Sequence, residues 1–106
     1  MKFLVCLPGK QTKEEHHDNL LGNIHNYIGV TSTIEAARLG ESEYIVYSDM
    51  LGYQKLKPLN AKLCGREIYG QFLVTKIGPG GRLQSLNKKD IMTIKSLIYT
   101  EHLAEA

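Results

Sequence analysis

Cysteine is scarce in this chain. The two present, Cys6 and Cys64, do not belong to a C-x-x-C pair. They read as reduced, partly buried thiols that pack as small apolar residues. A disulfide would require an oxidising compartment, which nothing else in the sequence supports. Long apolar runs are missing too, and none approaches the roughly 20 residues of a membrane-spanning helix. The opening MKFLVCLPGK has five apolar residues between Lys2 and Pro8, too few for a secretory signal, whose apolar segment needs about 7–15. The expectation is a cytoplasmic protein that starts at Met1 and makes no membrane contact.

Acidic residues are nearly absent from one region. From Met50 to Lys89, eight Lys/Arg face Glu67 alone, a net charge of +7. The preceding part of the chain carries −3 and the part from Asp90 onward −2, so the overall +2 conceals a basic middle. Isolated lysines more often only keep a surface soluble. A region of one sign is nonetheless a physical reason to expect an anionic partner.

What remains is ordinary for a small globular domain. The 106 residues are 42% hydrophobic and 23% charged, enough for one domain with a modest core. KFLVCL (Lys2–Leu7) is apolar without alternation, as in a strand covered on both faces. Thr12 and Glu15 have capping-box spacing, and Leu20, Leu21, Ile24, Tyr27 and Ile28 recur at helical intervals. The pattern predicts a helix from Thr12 that ends at Gly29. TSTIEAARL and EYIVYS predict a hairpin, and Asp49 to Leu63 is mostly loop, with a short edge strand at Tyr53–Leu56. Arg66 to Ile77 reads as one strand, in which Gly70 marks a bulge or a close backbone approach. RLQSL pairs briefly before a last helix capped by Asn87, with Asp90 in its first turn and Leu86 and Ile91 as a hydrophobic staple. The predicted order is β-α-β-β-(β)-β-α, an α+β domain with two helices packed on a mainly antiparallel sheet.

Gly78-Pro79-Gly80-Gly81 resembles a phosphate loop only in its glycine content. It lacks the lysine and the spaced glycines of a nucleotide motif and does not lead directly into a helix, so it reads as a turn. LPGKQT looks like the tail of a P-loop with the rest missing. His16, His17, His25 and His102 show no H-E-x-x-H pattern and predict no metal site. Glu14, Glu15 and Asp18 need no catalytic role, and neither cysteine has a marked partner for nucleophilic chemistry. The stretch QKLKPLNAKLCGR has four cations and no acid. It lacks interleaved aromatics for base stacking, which argues against a nucleic-acid track.

LPGK after the first strand, HNYIGV, the block KPLNAKLCGREIYGQFLV with Asn60, Gly65 and Gly70, and the closing GRLQSLNKKDI together resemble one family. It is an uncharacterised group of small single-domain proteins from tailed phages and bacterial mobile elements. The resemblance covers nearly the whole chain and lends no activity, so it carries over no catalytic residue. It implies a phage-type accessory protein in the host cytoplasm that interferes with host defence. Joined to the basic middle, it leads to a non-enzymatic, homo-oligomeric protein that needs no cofactor and sequesters an anionic small molecule such as a nucleotide immune signal. Lys57, Lys62, Arg66 and Arg82 would supply charge, with Asn60 and Tyr53 for orientation and stacking. The alternative is an inhibitor that binds a host defence or nucleic-acid-processing protein.

Overall fold

The computed structural model describes residues 1–8, 11–29, 33–39, 42–52, 54–55, 57–63 and 66–105, with side chains described as far as Ile98 and not at Arg66. The fold is α+β. Strand β1 (Lys2–Leu7) pairs antiparallel with β2 (Gln11–His16), Leu7 opposite Gln11 and Lys2 opposite His16. With β3 (Ile34–Arg38), β4 (Tyr44–Asp49) and β7 (Phe72–Ile77), they form a sheet in the order β2-β1-β7-β4-β3. The short β8 (Leu83–Gln84) pairs with the far end of β7, where Ile77 faces Leu83. A second, two-stranded sheet consists of β5 (Leu59–Leu63) and β6 (Arg66–Tyr69).

Both faces of β1 are covered, which accounts for its unbroken apolar sequence. Leu4 and Cys6 point into a core shared with Val46, Phe72 and Val74, Leu63 and Ile68 of the small sheet, and Ile91 and Ile94 of helix α2 (Lys88–Glu105). Phe3, Val5 and Leu73 point the other way, onto Leu20, Ile24 and Ile28. The second core is closed by a single 3-10 turn at Leu21–Asn23 followed by α1 (His25–Ile28).

The helix expected from Thr12 is therefore present only at its end. Residues 11–16 form a strand, because they carry no apolar stripe of their own and gain more by completing a backbone ladder on β1. The Thr12–Glu15 spacing is coincidental. Arg66 to Ile77 is likewise not one strand. It breaks at Gly70, whose φ of 84° is a left-handed conformation that favours glycine, and its halves join different sheets. The close approach expected there is present. The Gly70 N–H donates to the Pro58 carbonyl at 2.7 Å, and an added Cβ would lie 2.7 Å from Lys57 Cδ. Within the expected loop, Leu59–Leu63 is β5. Of the edge strand expected at Tyr53–Leu56, Gln54 and Lys55 form a turn, and Tyr53 and Leu56 lie outside the described residues.

The hairpin of β3 and β4 and the closing helix follow the sequence reading. At the start of α2 the Asn87 side-chain oxygen accepts the Asp90 N–H at 2.8 Å, and Asp90 Oδ2 accepts the Asn87 N–H at 2.9 Å. This is a reciprocal cap. Leu86 and Ile91 are both buried beside it. No described helix is long and apolar enough to cross a membrane.

Candidate functional site

Lys57 is half-buried and points inward. Its Nζ lies 2.9 Å from Asp49 Oδ2 and donates to the Ile28 carbonyl at 3.1 Å. Lys55 Nζ reaches the same Asp49 oxygen at 3.1 Å, while Asp49 Oδ1 accepts the Leu51 N–H at 2.9 Å. The Asp49 side chain is only 1% exposed, so this carboxylate, at the end of β4, is held by the two lysines that follow it. Together they fasten the β4–β5 connection to α1.

Asn60 is also occupied in holding the fold. Its Nδ2 donates to the Cys6 carbonyl at 3.0 Å and to the Gly70 carbonyl at 2.8 Å. It thereby ties β5 to β1 and to the break between β6 and β7. Lys62 is half-buried in β5, opposite Glu67. Arg82 is exposed, and its carbonyl accepts the Gly78 N–H at 2.7 Å beyond the end of β7. From Gly70, where Asn60 binds, to Gly78, where Arg82 binds, the chain runs roughly 25 Å at about 3.3 Å per residue. Asn60 and Arg82 therefore stand at opposite ends of one strand, too far apart to share a small ligand. Tyr53 and the Arg66 side chain lie outside the described residues.

The glycine-rich segment is a turn. Pro79–Gly81 forms a 3-10 turn in which Gly80 and Gly81 have φ of 74°. The Gly81 N–H bonds back to the Gly78 carbonyl at 3.1 Å, so these amides do not converge on an anion. Thr12 lies in a strand and opens no helix, which removes the P-loop comparison; Gly9 and Lys10 are outside the described residues. His16 and His17 are in β2 and the turn after it, not on a helix. His16 Nε2 lies 2.9 Å from the amino terminus, and His17 Nδ1 accepts the Asn19 N–H. No group of three or more metal-binding side chains gathers among the described residues. Burial pushes the Cys6 thiol up to about 12, although Lys95 pulls weakly the other way. Such a thiol does not form a nucleophilic thiolate near neutral pH. Cys64 lies outside the described residues.

Two features escaped the sequence reading. One is a buried polar cluster at the start of α2. The Tyr44 hydroxyl donates to Asp90 Oδ1 at 2.9 Å, and Lys76 Nζ reaches the same oxygen at 3.2 Å. Burial and the neighbouring carboxylate push Tyr44 up to about 12. Burial alone would raise Asp90, but hydrogen bonds from Asn87, Tyr44 and Lys76 outweigh it and hold the carboxyl below its ordinary value. The other feature is the outer strip of α2. A shallow, open depression of about 630 Å³ is lined by Lys88, Lys89, Met92, Thr93, Ser96 and Leu97. Lys88, Met92 and Ser96 form one i, i+4 row and Lys89, Thr93 and Leu97 the next. Met92 is 66% exposed, more than any other large apolar side chain described. Its position off the Ile91–Ile94–Ile98 stripe was the available signal.

No family model matches this chain, and no curated protein or solved structure matches it.

Proposed function

We propose that this chain is a non-enzymatic binding protein whose partner is an acidic surface of another protein, received on the outer strip of α2. The observation that carries this reading is Met92, exposed between Lys88 and Lys89 and the Thr93 and Ser96 hydroxyls. An accessible apolar anchor ringed by polar and cationic groups is the composition of a protein-binding patch. Asp90, the one acid in this part of the helix, is turned into the core. The phage resemblance adds a setting, in which the partner is a host defence or nucleic-acid-processing factor and this chain is its inhibitor.

A small anionic ligand such as a nucleotide is the second reading. It is supported by the exposed Arg82, Lys88 and Lys89, which lie close together in the chain around the β8–α2 junction. Sites that enclose a small molecule are concave and bury most of it; this depression is open, which favours a protein partner.

Thermal-shift screening against nucleotides and cyclic nucleotides separates the two. A ligand binding only the folded state at a hundredfold excess over its Kd stabilises by about 2.7 kcal/mol and raises Tm. No shift with any nucleotide is expected. A shift that Arg82→Ala and Lys89→Ala abolish would replace the protein partner with the small ligand.

A further inference from the structure

The main sheet ends in two edge strands, β2 and β3, and they are not alike. Along β2, Lys13 and Glu14 are exposed, and ion pairs link Lys13 to Glu15 at 3.0 Å and Lys2 to Glu14 at 3.4 Å. Charged side chains in that density are the usual protection of a strand edge. β3 reads Ile-Glu-Ala-Ala-Arg and pairs with β4 over five consecutive positions, from Ile34 opposite Asp49 to Arg38 opposite Ile45, without a bulge. It contains no lysine or proline, and Ala36 at its centre is exposed.

The hydrogen-bond phase of this edge follows from its two ends. The Met50 N–H donates to the Thr33 carbonyl, and the Leu39 N–H to the Tyr44 carbonyl, both at 2.9 Å. Thr33 and Leu39 therefore turn their backbone groups toward β4. In an antiparallel ladder these directions alternate. The groups of Glu35 and Ala37 face β4 as well, and those of Ile34, Ala36 and Arg38 face outward. Among the described residues no strand pairs with that outer side.

We propose that this edge is a homodimer interface, in which β3 pairs antiparallel with β3 of a second copy about a two-fold axis through Ala36. That register is selected by chemistry. Centring the axis on Glu35 would oppose two carboxylates at the closest pair of the ladder. Centring it on Ala37 would leave Ile34 beyond the paired strand. Centred on Ala36, the two Ala36 residues exchange N–H to carbonyl bonds. Ile34 then meets Arg38 of the second copy, Glu35 meets its Ala37, and no like charges are opposed. Half-buried Ile45 and Tyr47 on β4, opposite Arg38 and Ala36, border the seam and gain cover from the incoming strand. The axis is normal to the sheet, so both copies of α2 lie on the same side of the joined sheet. This inference stands independently of the partner proposed for that helix.

Sedimentation and light scattering of the full chain over a broad concentration range test it. The expected mass approaches twice that of one chain as concentration rises. Ala36→Lys, which places two ammonium groups at the axis, returns the mass to that of one chain with circular dichroism unchanged and a Tm equal to that of wild type diluted to the monomer. In a Cys64→Ser background, Ala36→Cys is expected to cross-link on mild oxidation, because facing residues of a hydrogen-bonded pair lie about 5.5 Å apart at Cα, within disulfide range. Glu14→Cys, on the other edge, is not expected to cross-link. The cross-link decides the matter if Ala36→Lys fails to fold. A chain monomeric throughout overturns the proposal, as does a dimer that ignores Ala36→Lys and does not cross-link through Ala36→Cys.

Discussion

The Tyr44 hydroxyl donates to Oδ1 of Asp90 at 2.9 Å, joining the middle of the sheet to the first turn of α2 across 46 residues of sequence. Because Asp90 also receives the Asn87 N–H and Lys76, one carboxylate both caps the helix and fixes its docking. Its folded-state value lies below the ordinary 3.8. A depressed carboxyl contributes stability that is present above the unfolded value and lost as pH falls through the folded one. Urea midpoints are therefore expected to be steady down to about pH 5 and to fall below about pH 4. In Asp90→Asn that acid-dependent step shrinks. Tyr44→Phe is expected to cost about 1 kcal/mol at neutral pH.

Asn60→Ala leaves the Cys6 and Gly70 carbonyls each short of a donor. A loss of roughly 2 kcal/mol in chemical unfolding is expected, with secondary structure retained. The same substitution is not expected to weaken binding of any partner beyond the loss of folded protein, because Asn60 points into the structure.

Thr75 is 1% exposed, and its hydroxyl makes no hydrogen bond of good geometry among the described residues, only an approach to Tyr47 that partly offsets the rise burial imposes on that phenol. Val has the same shape without the polar atom. Thr75→Val is expected to raise the urea midpoint, by about 1 kcal/mol of stability, whereas Thr75→Ala, which leaves a cavity, lowers it.

These contacts explain which parts of the fold were readable from the sequence. The start of α2 was, because Asn87, Asp90, Leu86 and Ile91 act within one turn of chain. β1 was, because five consecutive apolar residues, Phe3 to Leu7, closed by Pro8 suit a short strand covered on both sides. β2 was not, since its reason to be a strand is the neighbouring β1 backbone and its side chains carry no pattern of their own. Gly70 signalled a special backbone but not that two sheets part there. The basic middle was a correct count, but the count did not show where its charges lie. Lys55 and Lys57 are spent on Asp49, a residue counted with the acidic flank, and Arg82 lies at the far end of β7. Net charge along a sequence does not reveal which charges meet in space.

The most direct test concerns which surface binds. The tagged full chain is used to capture proteins from a cell extract; the captured protein is then purified and its affinity measured by calorimetry against wild type, Met92→Glu and Lys57→Gln. Wild-type affinity is expected to fall at least about tenfold, 1.4 kcal/mol, in Met92→Glu, whose melting temperature is unchanged. Lys57→Gln is expected to melt earlier but, while folded, to bind as wild type does. Full affinity in Met92→Glu, with binding lost in folded Lys57→Gln, would contradict the assignment and move the site to the surroundings of Lys57.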